Sequence, residues 1–417
     1  MNQIYVVGVG MTSFGRRLDQ SIYDLVGEAV GLALKDASAA AADVGAAYYA
    51  SATSGILQGQ TSVPGPIAMR RCGIEGVPVF SVENACASGS SAFNLAVQAL
   101  RAGSCDIALA VGAEKMNVPD KAKMFAVFDG GWDVSTVEQN RAALLALGAG
   151  IEPPPGSTSE KPYSVFMDVY AAFCRNHMRR YGTTQRQIAA VASKNHGHSV
   201  HNPLAQFRTP CSIEQVLASP PITYPLTLPM CSPISDGAAA AVLCNAEGLK
   251  RLRADGARAV RVLASVVQTG VTRTADEPEK TIARLAAVKA YTAAGVGPED
   301  VDVAEVHDAT AMGEILNAES LMLAPFGEGG PAAERGDFTV GGRIPINPSG
   351  GLESKGHPIG ATGLGQIHEL VTQLRGEAGL RQVRNARIAI QENGGGLYGI
   401  EEAVVAVTIL GEARNRS

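Results

Sequence analysis

The chain has 417 residues, about three domain-sized units at roughly 150 residues each. Hydrophobic residues make up 46% and charged residues 18%, against about 25% charged in an average globular protein; this excludes disorder and implies a large buried fraction. The net charge of −5 offers no nucleic-acid surface, and seven cysteines without paired spacing form no disulfide framework, which points to a reducing compartment.

The opening stretch, Met1 to Gly10, has neither a basic segment nor a long apolar run, so it does not read as a secretion signal. Apolar stretches fall short of the ~18 residues that span a membrane. The closing residues, Ala413 to Ser417, carry no peroxisomal tripeptide and no lipidation box. The expectation is a soluble cytoplasmic protein with no membrane or nucleic-acid partner.

Taken in order, Ile4–Val9 is an apolar, β-branched run that predicts a buried strand. Ser21–Ala39 places Leu25, Ala29, Leu32 and Ala33 at helical spacing. Tyr48–Thr53 predicts a strand, Pro64–Arg71 a short helix with proline in its first turn, and Val77–Val82 a strand. Cys86–Arg101 predicts a helix and Ile107–Val111 a strand. This alternation predicts a mostly parallel sheet with helices on its faces.

The pattern stops near Asn117. Residues 118 to about 225 are more polar, with helical stretches at Val165–Tyr181 and near Gln185–Lys194. A strand returns at Ala238–Leu243. A second series follows: strand Val260–Val267, helix Thr281–Ala294, strand Val301–Val306, helix Met312–Leu323, helix Ile359–Leu374, then strands Ala386–Gln391 and Ala403–Leu410. The same element order twice predicts an internal duplication, with one half over 1–250, an excursion at 118–225 inside it, and the other half over 257–417.

Four segments carry residues capable of chemistry. Cys86, in Asn-Ala-Cys-Ala-Ser-Gly, sits where a strand turns into a helix, capped by Asn84 or Ser81. A helix N-terminus favours an anion, so a thiolate is expected there. His357 lies between Gly356 and Pro358, with glycines at 350, 351, 356, 360, 363 and 365 that allow close backbone approach. His307, in His-Asp-Ala-Thr, ends a strand, where ligands bind in open α/β sheets. Gln391-Glu-Asn-Gly-Gly-Gly also follows a strand and can present backbone N–H groups to an oxyanion. His196, His198 and His201 stand in a polar stretch without a cysteine or carboxylate cluster, so no metal site is expected. Cys231 reads as structural.

Together these segments resemble, in order, the four signature loops of the thiolase superfamily. Tyr181-Gly-Thr-Thr, Lys194-Asn-His, Asn202-Pro and Ser235-Asp-Gly-Ala-Ala look like the sterol-carrier-protein type and its archaeal relatives, which carry His-Asp where degradative thiolases carry Asn-Glu. The resemblance spans essentially the whole chain. It implies a five-layered αβαβα fold of two similar halves with an inserted loop domain, at least a homodimer, and an acyl-CoA substrate. It casts Cys86 as the acyl-carrying nucleophile and His357 as its proton acceptor. His357 and His307 polarise one thioester oxygen, and the N–H groups of Cys86 and Gly395 form the second oxyanion hole. Coenzyme A enters as co-substrate, with no other cofactor.

The sequence departs from that pattern at the second cysteine. Its place is taken by Asn393 or Glu392, with Asn393 the better alignment, and the sterol-carrier-type alternative is Ala309. Asparagine is no base near neutral pH, whereas Glu392 in a dry pocket is an acid/base alternative. Cleavage of a β-oxoacyl-CoA with a bulky, aromatic or branched acyl part is therefore the expected activity. Family members lacking that cysteine work with a small OB-fold, zinc-ribbon protein, as benzoylsuccinyl-CoA thiolases do. The competing readings are a CoA-ester retro-aldolase and a non-catalytic acyl-CoA-binding subunit.

Overall fold

The structure, a computed structural model, describes residues 3–252, 256 and 258–412. The expected boundary between 250 and 257 falls largely on residues 253–255 and 257, and the closing Ala413–Ser417 stretch follows the last described residue; both lie outside the described residues. The first series comprises β1 (Ile4–Met11), α1 (Ile22–Asp36), β2 (Ala46–Ala50), α2 (Pro64–Arg71), β3 (Val79–Val82), α3 (Ser88–Arg101) and β4 (Ile107–Lys115). Next come α4 (Val165–Tyr181), α5 (Gln185–Ser199) and β5 (Asp236–Cys244). The second series comprises β6 (Val260–Thr269), α6 (Ile282–Ala294), β7 (Val303–Glu305), α7 (Ala311–Ser320), α8 (Thr362–Arg375), β8 (Ile388–Gly395) and β9 (Val404–Gly411).

Local chemistry sets the helix ends. Ser21 and Asp24 form a capping box at α1, Thr184 and Gln187 another at α5. Gly182, Gly295 and Gly376, each in the left-handed region, terminate α4, α6 and α8.

Nine strands run in the order β3-β2-β4-β5-β1-β6-β9-β8-β7. The duplication is visible in this order. From the outside inward, β2-β4-β5-β1 matches β7-β8-β9-β6, with a parallel outer pair and antiparallel inner pairs in both halves. Even β3, parallel to β2, has a counterpart in the parallel bridge of Ile346 to Ala304. The halves meet where β1 and β6 pair antiparallel over Ile4–Val6.

The sheet is mixed, which corrects the mostly parallel expectation: five of eight strand pairings are antiparallel. A parallel pair needs a long crossover, and β8 and β9 are joined by a tight turn at Tyr398–Glu401.

Three buried clusters define the layers. Leu25, Val26 and Val30 of α1 pack on the outer face of the first half-sheet with Ile107 and Leu109. Phe93 and Val97 of α3 meet Leu364, Ile367 and Val371 of α8 between the two half-sheets. Ile282 and Ala286 of α6 and Ile315 of α7 cover the second half-sheet, joined by Tyr170 of α4 and Ile188 of α5. The result is helix, sheet, helix, sheet, helix: the five-layered αβαβα arrangement. Both central helices, α3 and α8, are reached through a short 3₁₀ turn, Ala85–Ala87 and Ile359–Ala361 respectively. No helix among the described residues is long and apolar enough to cross a membrane.

Candidate active site

The two turns before the central helices bring Cys86 and His357 together, and the loop after β7 adds His307. One donor atom of each of these residues lies within 4.8 Å of the others. The two imidazoles stand edge to face, centroids 5.2 Å apart.

Backbone placement aims Cys86. Ala85 holds φ at +49°, a conformation that costs a β-carbon residue about 1–3 kcal/mol and turns the chain sharply into Cys86. Its N–H donates to Glu83 Oε1 at 2.6 Å. Neither Asn84 nor Ser81 caps the turn, contrary to expectation. Ser88 ties it instead: its Oγ accepts the Asn84 N–H at 2.8 Å and donates to the Ala85 carbonyl at 2.6 Å. Asn84 Nδ2 turns to Ser91 Oγ, and Ser81 Oγ accepts from the Gly65 N–H.

The thiol is not a preformed thiolate. Burial, then the Glu114 carboxyl, push the Cys86 pKa up to about 12. Glu114 is itself pushed up to about 7 by burial, against hydrogen bonds from Thr53 and Ala52.

His357 is buried and neutral: burial, His307 and Lys355 hold its pKa well below the ordinary value. Its backbone N–H donates to Ser235 Oγ at 2.9 Å. Thr362 Oγ donates to the Pro358 carbonyl at 3.1 Å, so its lone pair accepts from His357 Nδ1–H at 2.7 Å. Nε2 of His357 is then left with a free lone pair, the form a base needs.

Around His307 the β8 residues divide by strand alternation. Asn393 reaches the His307 ring, its Nδ2 3.0 Å from Nδ1. Glu392 lies on the other face and accepts the His307 backbone N–H at 3.0 Å. Burial and Glu402 push the Glu392 pKa well above the usual carboxylate range. Gly395 presses on the Cys86 turn: a β-carbon there would fall 2.2 Å from the Asn84 carbonyl and 2.7 Å from the Ala87 nitrogen. Ala309 is buried and offers no proton donor.

Residues outside the expected set surround these. Asn195 Nδ2 lies within 3.0 to 3.2 Å of the carboxylates of Asp308, Glu314 and Glu353. Lys194 pairs with Glu314 at 3.0 Å and Lys355 with Glu305 at 3.0 Å. Four carboxyl groups thus share two ammonium groups in a dry interior, and burial pushes Asp308 and Glu353 well up. This network ties the His307 loop to the His357 loop. Its sequence signal was an ionisable residue inside an apolar element, as in Val-Ala-Glu305-Val.

Two of the three histidines of the 196–201 stretch bond to different backbone groups. His196 Nε2 lies 3.2 Å from the Pro229 carbonyl, and His198 bridges the Asn347 carbonyl and the Val340 N–H. Burial lowers the His198 pKa to about 3. Cys231 bridges to Thr310 beside the His307 loop, but its Sγ turns onto the Thr227 carbonyl.

Comparison with known proteins fits this geometry. Residues 4–216 match the family described as thiolase, N-terminal domain, and residues 264–410 match thiolase C-terminal domain-like. The chain belongs to the thiolase superfamily. It is 38% identical over 404 residues to an acetyl-CoA acetyltransferase of Methanothermobacter thermautotrophicus, covering 96% of this chain and 98% of that protein. It is 37% identical over 416 residues to human sterol carrier protein 2, covering 97% of this chain and 71% of that protein. Benzoylsuccinyl-CoA thiolase subunit BbsB of Thauera aromatica is 33% identical over 400 residues, with 94% and 95% covered. Among solved structures, the Ltp2-ChsH2(DUF35) aldolase shares the fold, with a TM-score of 0.77 at 23% identity over 100% of this chain and 99% of that one.

Proposed function

We propose that this thiolase-family chain is an acyltransferase that cleaves a β-oxoacyl-CoA with coenzyme A through an acyl-enzyme on Cys86. The convergence of Cys86, His307 and His357 carries this reading. His357 Nε2 takes the thiol proton as Cys86 attacks the β-keto carbon. The N–H groups of Cys86 and Gly395 receive the developing oxyanion, and the bond between the α- and β-carbons breaks. The shorter acyl-CoA leaves as an enolate whose oxygen His307 holds. The proton on His357 quenches that enolate. Coenzyme A then gives its thiol proton to His357 and attacks the acyl-enzyme, and the Cys86 thiol is restored. Asn393 takes no proton in this scheme.

The reading of a bulky or aromatic acyl group rests on the absent second cysteine; the cavity of about 120 Å³ walled by Phe173, Ile282, Leu316 and Ile400 is not lined by Cys86, His307 or His357. The exposed edge strand β3, where Phe80 is 52% exposed, supports a homodimer. The names of the BbsB subunit and the Ltp2-ChsH2(DUF35) aldolase support pairing with a second protein, which we read as a small OB-fold, zinc-ribbon protein. A cytoplasmic location belongs to the same proposal.

The test is CoA-dependent cleavage of a β-oxoacyl-CoA series, with intact-mass detection of the acyl adduct, alone and with an OB-fold partner. Turnover with an adduct on Cys86 is the expected result. Aldehyde or ketone release without coenzyme A, or an adduct on Cys231, sinks it.

A further inference from the structure

His307 and His357 stand side by side, and a chain of buried amides decides which ring nitrogen of His307 holds the proton. The chain begins at a fixed point. Gln366 Nε2 donates to the Glu392 backbone carbonyl at 3.0 Å, and a carbonyl only accepts. The other end of that amide, Oε1, therefore faces Gln391, whose Nε2 lies 2.9 Å away and donates to it. The same Nε2 donates to Ser90 Oγ at 2.6 Å. Ser90 then has its single proton to give, and gives it to Asn393 Oδ1 at 2.8 Å. With its oxygen engaged, Asn393 turns Nδ2 toward His307 Nδ1 at 3.0 Å. An amide nitrogen only donates, so Nδ1 must accept.

We propose that this relay, Gln366 to Gln391 to Ser90 to Asn393, locks His307 as the Nε2–H tautomer, a standing hydrogen-bond donor to the reacting centre. Ser90, Gln391 and Gln366 are its positioning residues. Gln366, Gln391, Ser90 and Asn393 each show 0% exposure. Turning Gln366 or Gln391 alone brings two acceptors face to face away from water, and turning Asn393 takes away the acceptor of the Ser90 hydroxyl proton. Space is reserved for the relay as well: a β-carbon at Gly363 would fall 2.0 Å from Ser90 Oγ and 2.6 Å from Asn393 Oδ1.

Two neighbouring imidazoles are thereby given opposite characters. His357, with Nδ1–H spent on Thr362, offers a lone pair. His307 offers a proton. The Cys86, His307 and His357 atoms have a spacing that suits metal ligands, but the relay withdraws the lone pair His307 would need for that role. It also gives Asn393 a purpose: its amide accepts from Ser90 through Oδ1 and donates to His307 through Nδ2, both as strong hydrogen-bonding groups.

The use of the donor rests on the proposed cleavage reaction; the tautomer itself does not. The experiment is therefore ¹⁵N NMR of histidine-labelled protein at neutral pH without substrate, with His307 assigned by comparison with His307→Gln. The wild type should show an unprotonated Nδ1 and a protonated Nε2. Asn393→Asp presents an acceptor to Nδ1 and should invert the tautomer. Ser90→Ala frees the Asn393 amide and should populate both forms. kcat should fall by up to ~10²–10³-fold, the loss seen when one oxyanion donor is removed, with KM changing far less. A wild-type spectrum with the proton on Nδ1 overturns the proposal whatever the activity. So does a Ser90→Ala protein that keeps the wild-type tautomer yet loses kcat. The expected tautomers without CoA-dependent cleavage leave the relay standing and remove the reaction proposed above.

Discussion

The helices α3 and α8 hold equivalent places in the two halves, lie together in the central layer, and each begins from a 3₁₀ turn. Their surroundings differ in sign. Cys86 faces the carboxyls of Glu114, Glu83 and Glu402, whereas His357 faces Lys355 and His307. Burial is the main obstacle to charging either residue; the carboxyl groups add to it at Cys86, and the Lys355 ammonium adds to it at His357. The resting pair is a neutral thiol and a neutral imidazole. Magnitudes decide why the helix N-terminus fails to make a thiolate: its dipole is worth at most ~2 kcal/mol. A rise from 9.0 to about 12 is three units, or about 4 kcal/mol against the anion. In the free protein the balance therefore favours the thiol.

The largest expected effect comes from removing the nucleophile at the α3 end. Cys86→Ser should cut turnover by roughly 10⁴–10⁶-fold, the scale seen when an activated nucleophile is lost, while CoA-ester binding persists. Steady-state cleavage and calorimetric binding measure the two parts. An active Cys86→Ser protein would place the covalent step elsewhere.

At the α8 end, His357→Ala should slow turnover by ~10²–10⁴-fold, the usual share of a positioned base. The iodoacetamide labelling rate of Cys86 in the free protein should climb only at high pH, and alike in wild type and variant. A plateau near neutral pH that disappears in His357→Ala would reveal a resting ion pair and break the comparison.

How much of this was legible follows from what one dimension records. The apolar periods placed the nine strands of the large sheet and eight of the fourteen α-helices among the described residues, and four short motifs placed Cys86, His307, His357 and the Gly395 loop. Strand direction was not legible, because an alternating order looks the same whether a strand returns by a crossover or by the Tyr398–Glu401 turn. The burial that opposes a thiolate was not legible, because the helix start is visible in sequence and its surroundings are not. The relay was invisible for a different reason. Ser90, Gln366 and Gln391 are polar residues in apolar elements, which is a signal, but their order as donors and acceptors exists only where α3, α8 and β8 touch.

Glu114 offers a pH test of the acidic side of the pair. Its pKa is raised from 4.5 to about 7, so between these values the folded protein binds a proton that the unfolded chain has lost. Stability attributable to this group therefore falls as pH rises from about 4.5 to about 7, by roughly 3 kcal/mol in all. Glu114→Gln cannot ionise and should lose that slope. Urea unfolding at both ends of the window measures it: the wild type should lose ground to the variant as pH rises. A constant difference would mean that Glu114 is already ionised throughout. Above pH 7 the variant should also label faster at Cys86, because the charge that opposes the thiolate is gone.

The smallest expected effect separates the two faces of β8. Glu392 points away from the reacting atoms, onto the His307 backbone, and its Oε1 has no hydrogen-bond partner among the described residues. Burial and Glu402 push its pKa well above the usual carboxylate range. Glu392→Gln preserves its size and its acceptor toward His307, so kcat should change by less than about tenfold, under ~1.4 kcal/mol. Asn393→Ala, one residue along and on the other face, removes the group that holds His307 Nδ1 and should cost far more. Exchange of acyl-CoA α-protons with D₂O completes the test. It should depend on His357, which quenches the enolate in the proposed scheme and so abstracts the same proton in reverse, and it should be unchanged in Glu392→Gln. Fast exchange that Glu392→Gln abolishes would make Glu392 the acid/base after all. Its carboxyl would then have to swing from the His307 backbone to the acyl chain, and the division of β8 into a working face and a supporting face would fall with it.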